Sequence, residues 1–425
     1  MENKTVLWII ILLFFSSQNN ISGQTTIHKL PNGTVYRIIQ TDDSYILDSA
    51  VYHIFIPESA EKIRGVFIHQ HGCTMEGRGV STAYDIQYQA FAKKWNLAII
   101  GPDLYSASGN CHNWKNPESG SGDALLKTLE ETGEISGHPE LTNAPWLLWG
   151  HSGGGYWAQA MMRDYPERTI ALFSYSPGLN PTWDYPKEAL KIPVMIRHAG
   201  INGDACCWES ALNTYNKLRK NGGYTSIAYT PYQNHNFSYV RYMAIPFFES
   251  VLSQRLSENN PDILHEMNSS KAWLGDTLRL NTYKASGYKG DQNSMSWLPD
   301  STVAAKWKEY IITGTVIDRT PPPAPYDLNI SVKHNRALEL TWKADADIES
   351  GIKFFNIYNG SHLIARYPSC GDYQAFDTNG DDAYPVSTLP EMKLELTGII
   401  VGDHKISISS VNHFMLESDK TEFPQ

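Results

Sequence analysis

Three side chains stand in an order suited to acyl transfer: Ser152, Asp204 and His235. A serine hydroxyl attacks a carbonyl only when a base takes its proton, an acid holds that base, and fixed donors meet the oxyanion that forms. Ser152 lies in Gly150-His151-Ser152-Gly153-Gly154, after the apolar run Trp146 to Trp149 and before an amphipathic segment from Tyr156 to Tyr165. A strand turning sharply into a helix would carry this serine at its tip, with glycines clearing a turn too crowded for side chains. The competing role for such a serine is a plain helix N-cap.

The remaining parts follow in chain order. His235 comes after an expected strand, Tyr224 to Tyr229, and before an expected helix from Ser238 to about Leu256, where a general base belongs. His69 and His71 precede the serine, His198 precedes the acid position, and His265 lies beyond the last helix, so none of them fits the order. Asp204 follows the strand Pro193 to Arg197 and a glycine-containing loop; Glu209 and Asp184 are its rivals as the orienting acid. The expected oxyanion donors are the backbone N–H of Gly153 and that of Cys73, in the turn His71-Gly72-Cys73-Thr74. His71 reads as a brace for that turn. Trp114, Tyr156, Trp183 and Trp208 are candidates to line an acyl or sugar pocket, weighed against ordinary core packing. The chemistry needs no cofactor. No metal is expected either: Cys206-Cys207 has no further Cys or His at close ligand spacing. The loop Asp377 to Asp382 lacks the glycine and glutamate of a calcium loop.

These residues need a scaffold. Strand-like runs (Thr34 to Ile39, Val51 to Ile56, Arg64 to His69, Leu97 to Ile100, Thr169 to Ser174) alternate with helical periodicity at Ser81 to Trp95, Asp123 to Glu131 and Glu209 to Lys220. Such alternation predicts an α/β domain over 24–258, a mostly parallel sheet covered by helices on both faces. Residues 259–317 read as an extension packed on that domain, with a helix from Val303 to Ile312. The stiff segment Asp318-Arg319-Thr320-Pro321-Pro322-Pro323-Ala324-Pro325 then marks a boundary. Short alternating runs over 318–425, among them Leu338 to Trp342 and Lys393 to Thr397, predict an all-β sandwich.

The first 23 or so residues read as a signal peptide, with Lys4 ahead of the apolar run Val6 to Phe15 and a small-residue cleavage site at Ile21-Ser22-Gly23-Gln24. The expected location is therefore secreted or periplasmic, and no later stretch is long and apolar enough to span a membrane. A net charge of −10 with no Lys/Arg run argues against a nucleic-acid partner. Hydrophobic content of 41% supplies a full core, and a monomer is expected. Aromatic content of 12% suits a carbohydrate-facing surface and suits β-rich packing equally. Five cysteines leave at least one unpaired within the chain; Cys73 with Cys111, or either with Cys206 or Cys207, are open pairings, and a vicinal Cys206–Cys207 bridge is strained.

Taken together, His71-Gly72-Cys73-Thr74, Gly150-His151-Ser152-Gly153-Gly154, Asp204 and Asn234-His235-Asn236-Phe237 resemble the α/β-hydrolase superfamily. The His-Gly-Cys-Thr turn is similar to that of secreted esterases in the branch of feruloyl and acetyl-xylan esterases and polyhydroxyalkanoate depolymerases. His151 and Gly153 stand where that branch often has Leu and Ala. Residues from about 320 onward resemble a fibronectin type III module. The resemblance implies a serine carboxylesterase acting on a small-molecule or polysaccharide ester. A serine peptidase of the same fold and a non-catalytic glycan-binding protein with a relic hydrolase domain are the alternatives.

Overall fold

A computed structural model describes residues 25–74, 77–106, 111–235, 239–257, 263–333, 337–373, 391–398 and 405–424. The signal-peptide segment, the Asp377 to Asp382 loop and residues 236–238 lie outside the described residues. Nine strands form one sheet: β1 (Thr26–Leu30), β2 (Gly33–Gln40), β3 (Ser49–Pro57), β4 (Gly65–Gln70), β5 (Leu97–Tyr105), β6 (Trp146–His151), β7 (Thr169–Tyr175), β8 (Val194–His198) and β9 (Thr225–Tyr229). Their order is β1-β2-β3-β5-β4-β6-β7-β8-β9. β1, β2 and β3 pair antiparallel and join β5 antiparallel, while every pairing from β5 through β9 is parallel. The helices are α1 (Gly79–Tyr84), α2 (Ile86–Trp95), α3 (Ser121–Ser136), α4 (Gly153–Asp164), α5 (Lys187–Leu190), α6 (Gly200–Gly203), α7 (Trp208–Lys220), α8 (Arg241–Arg255) and α9 (Ser301–Thr313). This mixed sheet with its helices fits an α/β-hydrolase fold.

The apolar run before Ser152 has a simple cause. Successive side chains of a strand point to opposite faces. On β6, Leu147 and Trp149 enter one core with Phe91, Phe247 and Phe248, while Trp146 and Leu148 enter the other with Leu125, Trp157 and Met161. Both faces are covered by helices, so neither tolerates a polar residue.

Two elements differ from expectation. The helix expected over Ser81 to Trp95 is broken at Asp85. That side chain accepts from the N–H groups of Gln87 (2.9 Å) and Tyr88 (3.0 Å), capping α2, and is paired with Arg241. The strand from Leu97 runs through Pro102 to Tyr105 instead of stopping at Ile100. β4 pairs with β5 only as far as Ile100, so beyond it that side of β5 is an edge, where proline is tolerated.

The extension forms a three-stranded antiparallel sheet from β10 (Trp273–Gly275), β11 (Thr282–Lys284) and β12 (Ser296–Leu298), followed by α9. It covers the open edge of β9: Trp307 Nε1 donates to the Ile227 carbonyl (3.0 Å), and the Ile227 N–H donates to Ser296 Oγ (3.1 Å). An exposed edge there would invite pairing with another chain.

Two further antiparallel sheets close the chain. One has the order β13 (Tyr326–Val332), β14 (Leu338–Lys343), β17 (Lys393–Leu396). The other has the order β16 (His362–Tyr367), β15 (Phe354–Asn359), β18 (Ile406–Val411), β19 (Thr421–Glu422). Their common core takes in Ile86 and Ala90 of α2, and the Lys93–Asp345 ion pair (2.6 Å) lies beside that contact. Among the described residues no helix is long and apolar enough to cross a membrane.

At the start of this region two carboxyl groups are buried together. Asn412 Nδ2 donates to Asp318 Oδ2 (2.9 Å) and Asp347 Oδ2 (3.0 Å), and Ser350 Oγ donates to Asp318 Oδ2 (2.6 Å). Burial, with Asp318 close by, pushes Asp347 up to about 8. A carboxyl raised in the folded state stabilises it fully below the ordinary carboxylate range, and that contribution is lost as pH rises through the folded value. The melting temperature of Asp347→Asn relative to the parent is therefore expected to rise between about pH 4 and pH 8. Calorimetry of both proteins across that window should show this relative gain; a constant difference between them would count against the buried proton.

Candidate active site

Ser152 joins β6 to α4 with φ at +50° and ψ at −117°. Few residues other than glycine adopt a positive φ, and strain of this kind persists only where the surroundings impose it. Here the Ser152 N–H donates to the Tyr175 carbonyl (3.2 Å), while its own carbonyl accepts from Gly155 (3.0 Å) and Gly178 (3.1 Å). The hydroxyl is thereby carried at the head of α4, whose free N–H groups and dipole favour developing negative charge.

The glycines after the serine are required by close approach. A Cβ on Gly154 would lie 2.2 Å from the Gln70 carbonyl and 2.6 Å from that of His71. The first turn of α4 thus sits against the end of β4, and this brings the Cys73 turn over the serine. Cys73 and Cys111 form a disulfide with Cα atoms 5.1 Å apart. A Cβ on Gly153 would lie 2.3 Å from Cys73 Sγ and 3.0 Å from Cys111 Sγ. The bridge rests directly on Gly153, which leaves no room for a side chain there. His71 braces the same turn through Nε2 and Thr82 Oγ1 (2.9 Å). Gly153→Ala is expected to lower kcat/KM for a small ester by about 10- to 100-fold, because the added methyl pushes apart the Gly153 and Cys73 N–H groups, the expected oxyanion donors. Ester kinetics beside a melting curve check this, and unchanged kinetics would refute the placement.

His235 and Asp204 meet across the C-terminal end of the sheet. His235 Nδ1 lies 2.9 Å from Asp204 Oδ2, on a carboxylate that is buried while the imidazole is half-buried. An ionised carboxylate only accepts, so in the neutral ring Nδ1 carries the proton and Nε2 the lone pair. The His235 ring is 5.0 Å from that of His151, the residue before the serine. Burial works against ionised Asp204, but the His235 hydrogen bond, His235 and His198 as charges, and Ser176 outweigh it and hold the carboxyl below its usual range. The rival acids lie elsewhere: Asp184 is exposed and pairs with Lys217 (2.9 Å), and Glu209 is exposed.

Chain order alone passed over two contributors. His198 precedes Asp204 in the chain, yet its Nε2 is 3.4 Å from the same Asp204 oxygen that His235 meets. The contact is close without hydrogen-bond alignment. His198 Nδ1 accepts from the Gly200 N–H (2.9 Å), so in the neutral ring the proton sits on Nε2, facing the acid. Burial pushes His198 down to about 4, which keeps it neutral near pH 7. Arg197 is fully buried and anchors the histidine loop: it donates to Gln233 Oε1 (2.8 Å), to the Asn234 carbonyl (3.2 Å) and to Ser176 Oγ (3.0 Å). Its place at the apolar end of a strand gave no hint of this role.

The aromatic candidates divide. Trp114 is 1% exposed and packs in the core with Cys111, leaving it no surface for a ligand. Tyr156 and Trp183 are half-buried and meet edge to face at 4.8 Å, with Lys115 Nζ 4.7 Å from the centre of the Tyr156 ring. Trp208 stacks on Tyr229 (5.2 Å) and lies 5.3 Å from the His198 ring, behind the acid. A cavity of about 630 Å³ lies away from these residues, between β1 and the C-terminal sheets, beside Tyr84, Tyr326, Trp342 and Tyr373; none of Ser152, Asp204 and His235 lines it. Among the described residues no group of three or more His, Cys, Asp or Glu side chains is placed to hold a metal ion.

No protein-family profile and no curated protein matches the chain. Solved structures that it is similar to include an S-formylglutathione hydrolase from Agrobacterium tumefaciens, at 16% identity and a TM-score of 0.33 over 48% of this chain and 87% of that one. A poly(aspartic acid) hydrolase-1 from Sphingomonas sp. KT-1 stands at 14% and 0.34, over 50% and 93%. An acetyl xylan esterase from Aspergillus awamori stands at 16% and 0.32, over 43% and 78%. Likeness at this level carries no argument about what the chain does. The fold rests on its own strand order, and the site on its own geometry.

Proposed function

We propose that the chain is an exported serine hydrolase of carboxylic esters, acting through Ser152, His235 and Asp204. The observation that carries this reading is the 2.9 Å His235–Asp204 contact beside a serine held at positive φ between a buried strand and a helix. In the proposed reaction His235 Nε2 takes the Ser152 Oγ proton as Oγ attacks the acyl carbonyl. The N–H groups of Gly153 and Cys73 receive the oxyanion. The imidazolium returns its proton to the departing alkoxide, an acyl-enzyme remains, and water attacks it by the same route in reverse. The half-buried Tyr156 and Trp183 suit an aromatic-lined rim for the acyl or sugar part.

The C-terminal sheets, three strands against four, support a fibronectin type III-like module serving as a spacer or substrate-binding carrier. An acylated polysaccharide is the substrate class that the aromatic richness and this modular build favour. Two measurements test the reading. p-Nitrophenyl acetate should be hydrolysed while peptide anilides are not, and a fluorophosphonate should add once, at Ser152. Cleavage of anilides alone would favour a peptidase. No turnover and no labelling would leave a binding protein with a relic hydrolase domain.

A further inference from the structure

Beside the proposed acid lie two sulfur atoms that this reaction does not use. Cys206 and Cys207 are adjacent in sequence, and both are free thiols. Their Sγ atoms are 2.9 Å apart, about 1 Å beyond the length of a disulfide bond. Cys206 is exposed and Cys207 half-buried. The pair is set between two things that matter to the site. Asp204 lies just upstream, its N–H held by the Gly200 carbonyl (2.7 Å). Downstream, Cys207 caps α7, its carbonyl accepting from the Ala211 N–H (3.0 Å) and from Ser210 Oγ (2.9 Å). Across the cleft, a Cβ on Gly178 would lie 3.8 Å from Cys207 Sγ and 3.9 Å from the Ser152 carbonyl oxygen. The Cys207 thiol is therefore one residue's width from the backbone of the nucleophile.

We infer that Cys206 and Cys207 form a second reactive site, a vicinal dithiol that takes disulfide donors and thiophilic trivalent arsenicals, and whose oxidised ring re-sets the Asp204 loop. The exchange balances without further reactants. The Cys206 thiolate attacks one sulfur of a disulfide donor, forming a mixed disulfide and releasing one thiol. Cys207 Sγ then attacks Cys206 Sγ, and the second donor sulfur leaves as a thiol. The two protein protons end on the two thiols released. Cys206 is the first attacker, because it is exposed, whereas burial and then the neighbouring Cys206 push Cys207 up to about 12.

The consequence for Asp204 follows from covalent geometry. Neighbouring Cα atoms are about 3.8 Å apart across a trans peptide, shorter than the usual span of a disulfide, so closing the ring twists the peptide between them. Downstream the twist meets resistance, since Trp208 is stacked on Tyr229 and also packs, tilted, against the His198 ring. The movement is therefore taken up on the Asp204 side. A strained, exposed disulfide is also readily reduced, which makes the change reversible.

The coupling to Asp204 rests on the function proposed above, but the dithiol does not. The full chain carrying Cys370→Ser, with the Cys73–Cys111 bridge intact, is treated with oxidised glutathione. Intact mass should show the loss of two hydrogens with no glutathione retained. Phenylarsine oxide should bind the reduced protein one to one, and bind neither the oxidised protein nor Cys206→Ser. Oxidation should lower kcat/KM for p-nitrophenyl acetate about tenfold and shift its acid limb, with recovery in reduced glutathione. Cys206→Ser should keep the activity and lose the response. Stable glutathione adducts, or no arsenical binding, overturn the site. Ring closure with rate and pH profile unchanged overturns the coupling. If no ester is turned over, the His235 imidazole resonance decides instead: a shift on oxidation supports the coupling and its absence overturns it.

Discussion

Ser152→Ala is expected to lower kcat for p-nitrophenyl acetate by about 10⁴- to 10⁶-fold while leaving the melting temperature nearly unchanged. The rate loss is large because every later step needs the acyl bond to Oγ. The stability effect is small because the substitution leaves the turn's backbone bonds in place: Ser152 N–H to Tyr175, and the Gly155 and Gly178 N–H groups to the Ser152 carbonyl. Alanine suffers the same positive φ as serine, so no extra strain enters. Some acceleration over water should survive, supplied by the oxyanion donors and binding alone. Full activity in the variant would remove Ser152 from the reaction. A matching loss in both rate and melting temperature would mean that the turn had collapsed.

How much of this was legible in the sequence varies with the physical cause. The strand before Ser152 was readable because two helical layers bury both of its faces, and that demand writes a continuous apolar run. Asp204 and His235 were readable as candidates because strand, loop and helix alternate in a fixed chain order around them. What chain order cannot express is contact between distant segments. The break at Asp85 depends on Arg241, and the anchoring of the His235 loop depends on Arg197, a buried residue of a strand that otherwise reads as core. Trp114 shows the converse error. An aromatic residue in a polar loop suggested a pocket wall, but the nearby Cys73–Cys111 bridge folds that loop inward and buries it. The choice of Gly153 was likewise opaque, since its cause is a pair of sulfur atoms supplied by two other segments.

Asp204→Ala is expected to lower kcat by about 10⁴-fold, and Asp204→Asn by clearly less. The difference comes from His198. Both His235 Nδ1 (2.9 Å) and His198 Nε2 (3.4 Å) approach one oxygen, Asp204 Oδ2. In Asp204→Asn the oxygen of the amide is favoured at that position, because an NH₂ there would face two N–H donors. His235 then keeps its proton on Nδ1 and Nε2 remains a base, so orientation survives and only the negative charge is lost. Without that charge the imidazolium is less favoured, and the acid limb of kcat/KM should move to lower pH. In Asp204→Ala nothing holds the tautomer, and the ring turns freely. Adding His198→Leu to Asp204→Asn should bring its rate down toward that of Asp204→Ala, because the second N–H facing the amide is gone. Steady-state kinetics of the four proteins across pH decide the matter. Equal rates for Asp204→Asn and Asp204→Ala would show that His198 does no more than pack against the acid.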